Sequence, residues 1–405
     1  MGGNAFARDG GPGRPALNTP RISPTEYNTL KEMAQKVLSQ FYAHVTTPPE
    51  APGKPDYGDI DTMTATPFKD PQTTLSELKT IFNAPRYISH GVTTSFAIPL
   101  PDKPGSYAQL DVHVCPSVER LAWDRMMNSY GDAWQILGLI HRGLGLTVND
   151  KGLTVRLAAI EPADRVNSML LVSTDPVAVL QFLGLDPIAF LETGFESEEQ
   201  LFRWVAAGRF FARSLVDADA PQKTANDRVR LRKRPMFRRF VDEWVPGHPE
   251  LGAAEPVDRE LVEREALTTF GVQEEAKAKL IAHREKEDEA AFWRGLAEAV
   301  MPDEENTSER NLAARAVKRW VVFGKESQVP SLRTEAEVAE IDQQKLQPVL
   351  NKSVAQEHKE PLLEWVKSHW TEIKAKELAR IESYTVKGRR GKKSSDNKIT
   401  KQDDE

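Results

Sequence analysis

Cysteine is almost absent, with Cys115 the only one in 405 residues. One thiol makes no internal disulfide and excludes a cysteine-based zinc site, so a reducing compartment is expected. Long apolar runs are missing too: no stretch approaches the roughly 18 residues that a membrane span requires. The opening MGGNAFARDGG lacks the apolar segment of a secretory signal. It begins Met-Gly, yet Phe6 stands where a myristoylation signal has serine or threonine. There is no G-x-S-x-G turn, P-loop, dinucleotide fingerprint or cysteine–histidine nucleophile pair. Charge of one sign is not in large excess. The 54 Lys and Arg against 60 Asp and Glu leave −6, which excludes a uniformly cationic nucleic-acid coat but allows a local basic groove. These absences together predict a soluble intracellular protein, cytoplasmic or nuclear, with no membrane partner. No feature bears on its oligomeric state.

With 40% hydrophobic and 28% charged residues, most of the chain buries a core. Residues 1–22 are rich in glycine and proline, show no apolar period and read as a flexible arm. From Ser23-Pro24 to about Val45 the spacing of Leu30, Met33, Val37, Leu38 and Phe41 predicts one helix. The following loop, TTPPEAPGKPDYGD, excludes regular structure, and DIDTMTATP reads as a strand. TTLSELKTIFNAP reads as a short helix stopped by Pro85. RYISHGVTTSFAIPL and YAQLDVHVCP read as two strands joined through PDKPGS. A helix from VERLAWDRMMNSYGDAWQILGLIHRGLGL and a hairpin with its tip at Asn149-Asp150-Lys151-Gly152 complete an α+β core over 23–165. That core is a small mixed β-sheet with helices on one face. Residues 166–384 read as a mostly helical region, with helix starts at Asp175, Asp186 and Ser197. Residues 385–405 read as a disordered basic and polar tail.

The chemistry concentrates in Gly58-Asp59-Ile60-Asp61 and, fifty residues on, Leu110-Asp111-Val112-His113-Val114. In a strand, residues i and i+2 share a face, so Asp59 and Asp61 project together. Asp111 lies in an alternating strand, facing the same side as Gln109 and His113. If the two strands are neighbours, three carboxylates meet. Such a cluster repels itself unless a cation intervenes. Oxygen-only donors suit Mg²⁺, which keeps water and substrate phosphates among its ligands. His113 reads as a histidine hydrogen-bonded within the sheet. Ser129-Tyr130-Gly131-Asp132 begins a helix, with Asp132 read as its start residue.

GDID on one strand and QLDVHV on a later one resemble the signature of the DNA polymerase β-like nucleotidyltransferase superfamily. MGGNAF, GKPDYGDID, YGDAWQILGLI and RKRPMFRRFVDEW are similar more narrowly to fungal and phage members. The signature spans about 53–114 and the looser likeness extends to about residue 245. The resemblance implies a nucleotidyltransferase core, an NTP substrate and two Mg²⁺ ions held by Asp59, Asp61 and Asp111. It also implies Gly53, Lys54 and Gly58 against the triphosphate, with Gly53 allowing close backbone approach and Lys54 a point charge. The superfamily's Gly-Gly or Gly-Ser pair is replaced by Gly53-Lys54, and the other candidate, Gly2-Gly3, stands far upstream.

The run from Arg228 to Arg239 holds seven cations: Arg228, Arg230, Arg232, Lys233, Arg234, Arg238 and Arg239. It reads either as a surface for an RNA or DNA acceptor or as a basic face paired with the acidic stretch 250–310. Lys387-Gly388-Arg389-Arg390-Gly391-Lys392-Lys393 is consistent with a nuclear import signal. The expected function is transfer of an NMP from an NTP to an acceptor hydroxyl on a nucleic acid, a protein or a small molecule. The alternatives are a non-catalytic nucleotide- or RNA-binding protein that keeps the fold, and a scaffold acting through its helical C-terminal third.

Overall fold

The computed structural model describes residues 3–8, 15–216, 225–301, 307–322, 330–344 and 359–399. It divides into two compact units, 1–280 and 281–405, taken separately below. The architecture is α+β, with a five-stranded mixed sheet, two smaller sheets and a helical C-terminal region.

Helix α1 (Pro24–Leu38) starts where Ser23 and Glu26 form a reciprocal capping box and Pro24 occupies the first turn. It buries Tyr27, Leu30, Ala34 and Leu38. The helix ends at Leu38, well short of the expected Val45, and Tyr42–Thr46 form strand β1 instead. β1 pairs antiparallel with β2 (Asp59–Pro67), and edge pairing wins over a helical period that Phe41 prolongs by chance. α2 (Pro71–Ile81) follows with Asp70 as its cap. RYISHGVTTSFAIPL is two strands, β3 (Tyr87–His90) and β4 (Thr93–Pro99), turned at Gly91, whose φ of +60° suits glycine. β5 (Tyr107–Val114) completes the sheet in the order β1-β2-β5-β4-β3. Only β2 and β5 run parallel; the other neighbours are antiparallel.

One face of this sheet carries Ile60, Leu110, Val112, Phe96 and Ile98 onto α1 and α2. The opposite face carries the aspartates. At its far end α3 (Val118–Asn128) seats Leu121 on Met63, Ala65 and Cys115. The expected single helix after residue 117 is broken at Tyr130 and Gly131, both at positive φ, and resumes as α4 (Ala133–Arg142). α4 is buried on nearly every side and is the axis of a larger apolar core. This core takes in the meander β6 (Leu146–Asn149), β7 (Gly152–Arg156) and β8 (Met169–Ser173), with later helices through residue 266. The β6–β7 hairpin turns between Asn149 and Gly152, as the sequence implies.

Buried within α4 is His141, edge-on to Phe210 at 5.9 Å, and its Nδ1 has no partner among the described residues. Burial lowers its pKa to about 3. Folded chains therefore hold it neutral, while unfolded chains protonate it near the ordinary 6.5. The stability of this neutral state is complete above pH 6.5 and declines as pH falls toward 3. Between pH 7 and pH 5 the loss is about 2 kcal/mol. Urea unfolding at the two pH values should show that loss in the parent and not in His141→Leu; equal acid sensitivity in both would contradict it.

The second unit packs helices from its part of Gln273–Val300, from Thr307–Trp320 and from Lys359–Ile399 around Phe292, Leu296, Val317, Trp320, Val366 and Ile373. Buried Glu377 accepts from Arg319, Arg380 and the Trp320 indole at 2.8–2.9 Å. The last helix continues to Ile399 through most of the stretch for which composition predicts no order, because propagating a formed helix costs little. Residues 400–405 and the side chains of the 387–393 basic cluster lie outside the described residues. Among the described residues no helix is long and apolar enough to cross a membrane.

Candidate metal centre

Parallel pairing of β2 with β5 sets Asp61 opposite Asp111 and Asp59 opposite Gln109. Because alternate residues share a face, this register puts three carboxylates and one amide on the same side. Donor oxygens of Asp59, Asp61 and Asp111 all lie within 4.8 Å of one another. Asp59 and Asp111 are half-buried, while Asp61 is exposed. Asp61 is nonetheless surrounded by enough protein that burial is the largest cause of its raised pKa.

Electrostatics follow from this crowding. Surrounding protein raises the Asp61 pKa to about 7, with Asp59, Asp111 and Glu50 adding and Lys54 opposing. Asp111 is also raised, chiefly by burial, against hydrogen bonds from Ser95 and Gln109. The cluster thus has an excess of negative charge that the local fold does not neutralise. Lys54 is committed to Glu50 at 2.6 Å and sits 4.8 Å from the Tyr57 ring centroid.

Gly53 has φ of +70° and open space where a Cβ would stand, so the turn requires glycine for its backbone and not for close approach. Gly58 has a different neighbour from the one expected. Its carbonyl oxygen would lie 2.1 Å from a Cβ at Gly3. The arm expected to be free therefore reaches the site: the Gly3 N–H donates to Asp59 Oδ2 at 3.0 Å, and Phe6 is fully buried. Residues 9–14 lie outside the described residues.

His113 serves the fold, as its strand position suggests. Its Nδ1 meets Thr93 Oγ1 at 2.8 Å, and its Nε2 lies 3.6 Å from Asp124. Cys115 and Asp124 complete a second group of potential ligands, but Arg120 already grips both Asp124 oxygens at 2.8 Å. Burial, with Asp124 beside it, pushes the Cys115 thiol up to about 12. Tyr130 is a core residue that donates to the Phe190 carbonyl at 3.0 Å.

The basic run separates into two sets. Arg230 pairs with buried Asp227, which Arg142 also grips; Arg234 pairs with Asp132; Arg239 forks onto Glu198. None of these three partners, all within the first unit, comes from the acidic stretch 250–310. Arg228, Arg232, Lys233 and Arg238 are exposed and make no ion pair among the described residues.

Sequence reasoning missed Gln109, whose Nε2 donates to both Asp111 oxygens at 3.0 Å. Its place on the aspartate face of β5 was the available signal. No family model and no curated protein matches the chain.

Proposed function

We propose that this chain is a Mg²⁺-dependent nucleotidyltransferase of the DNA polymerase β-like superfamily, moving an NMP from an NTP to an acceptor hydroxyl. The observation that carries the reading is the meeting of Asp59, Asp61 and Asp111 on two parallel strands, with donor oxygens within 4.8 Å of one another.

The donor set fits hard divalent cations. It is oxygen-only and anionic, with Asp61 exposed, and such a donor set suits a cation that keeps water and phosphate among its ligands. Asp59 and Asp61 would hold two Mg²⁺ ions, with Asp111 adding a ligand on the acceptor side. When bound, the ions supply charge neutralisation at the α-phosphate and at the departing pyrophosphate. Lys54, close enough to act on Asp61, adds positive charge where the triphosphate enters. The acceptor hydroxyl attacks the α-phosphorus in line and gives up its proton to water, forming one O–P bond as the bond from the α-phosphorus to the α–β bridging oxygen breaks and pyrophosphate leaves.

Incubation with each α-labelled NTP, Mg²⁺, and cellular RNA, DNA and protein tests this. Label should enter one fraction and vanish on chelation. No label in any fraction, with no Mg²⁺-dependent thermal shift by any NTP, overturns it. The four unpaired cations favour a second reading, nucleic-acid binding without transfer. In that case RNA is retained unlabelled, and charge reversal at Arg232 and Lys233 lowers the slope of log affinity against log salt by about 2.

A further inference from the structure

The N-terminal segment returns to the sheet and makes two contacts that converge on the carboxylates. The Gly3 amide donates to Asp59 Oδ2 at 3.0 Å. The Ala5 amide donates to Gln109 Oε1 at 2.9 Å, and Gln109 in turn gives its Nε2 to both oxygens of Asp111. Gln109 is only 4% exposed, so water does not readily replace either partner.

The Ala5 contact decides which way the amide of Gln109 points. A glutamine has a donor end and an acceptor end. With its oxygen committed to a backbone N–H, its NH₂ must face Asp111. Released from Ala5, the Gln109 oxygen becomes a buried acceptor without its donor, and the side chain loses one of the contacts that hold its NH₂ on Asp111. The segment therefore acts on Asp59 directly and on Asp111 through one buried relay.

Its seating is built into the fold. Phe6 is fully buried, with the Arg86 guanidinium 5.2 Å from its ring centroid. Arg86 also donates to the carbonyls of Phe6 and Pro15, and the Leu17 amide donates to Phe6 O at 2.9 Å. Thr19 holds the Gly3 carbonyl at 3.2 Å. Gly3 adopts φ of +85°, and a Cβ there would fall 2.1 Å from the Gly58 oxygen. Any other residue has to lift the segment from the site.

We propose that Gly3, Ala5 and Gln109 are positioning residues of the carboxylate centre, and that divalent-cation binding depends on the N-terminal segment being seated. This rests on reading the aspartates as a metal site. Groups that orient metal ligands from behind typically change affinity 10–100-fold when removed.

Titration of the full chain with Mn²⁺, followed by electron paramagnetic resonance, reads binding whether or not transfer occurs. Gly3→Ala and Gln109→Leu should each weaken Mn²⁺ binding about tenfold or more. In the transfer assay, the two weakened variants should need more Mg²⁺ for half-maximal rate and recover at saturating Mg²⁺. Thermal unfolding monitors the fold, and if Gln109→Leu is destabilised, Gly3→Ala carries the test. Parent-like Mn²⁺ affinity in Gly3→Ala, with binding lost in Asp61→Asn, overturns this inference alone. Parent-like affinity in Asp61→Asn instead removes the metal-site reading beneath it.

Discussion

Replacing Asp61 with asparagine should cut nucleotidyl transfer about a thousandfold, equivalent to about 4 kcal/mol of transition-state stabilisation, without unfolding the protein. The amide keeps the shape and loses the charge that, on the proposed reading, would hold a cation beside the transferring phosphate. Stability should stay level or rise, because Asp59, Asp111 and Glu50 all oppose ionisation of Asp61 in the folded state. Asp61 is also exposed, so an amide there can hydrogen-bond to water. Active sites commonly hold such repulsion at the expense of stability. The paired measurement is labelled-NMP transfer and thermal unfolding with and without Mg²⁺. Mg²⁺ should raise the parent's midpoint and leave that of Asp61→Asn in place, since a ligand stabilises only the state that binds it. A variant that transfers at the parental rate would sink the catalytic assignment.

The carboxylate centre was legible because its determinants are local. The period-2 alternation of β2 and β5 assigns Asp59, Asp61, Gln109 and Asp111 to faces, and β2 begins and ends where the sequence implies. That the strands are parallel neighbours in the Asp61–Asp111 register is a tertiary fact. Periodicity cannot supply it. The misreadings share this cause. Tyr42–Thr46 follows a helix whose apolar spacing runs on through Phe41, and pairing with β2 decides its conformation. Gly3 meets Asp59 across 56 residues with no local pattern to announce the contact. Charge counting found the cations of 228–239 but not their partners, which lie on Asp132, Glu198 and Asp227. Of these three partners only Asp227 adjoins the run; Asp132 and Glu198 are brought to it by packing.

Removing Glu161 should destabilise the first unit by about 3–5 kcal/mol, the usual result of stranding a buried charge. Arg156 is 3% exposed; it donates to Glu161 and Thr147 at 2.6 Å and to the Leu146 and Arg142 carbonyls. Arg259, opening the helix Arg259–Phe270, binds the other oxygen of Glu161 and the Arg156 carbonyl. Burial alone would raise the Glu161 pKa, but Arg156 and Arg259 overcome it and hold the carboxyl below its ordinary range. The carboxylate therefore contributes stability above the ordinary glutamate pKa near 4.5, and that contribution is lost as pH falls below it. In Glu161→Ala the Arg156 guanidinium keeps its carbonyls and hydroxyl yet loses its counter-charge, and two arginines are left facing each other. Glu161→Gln retains acceptor geometry and should cost less. The double change Arg156→Met with Glu161→Met should lie closer to the parent than Glu161→Ala does, since apolar replacement of a whole buried pair is often near neutral. Urea midpoints at pH 7 give the order directly. A midpoint for Glu161→Ala equal to the parent's would mean that the pair carries no net stability and that the β7-to-helix junction is held by its apolar contacts alone.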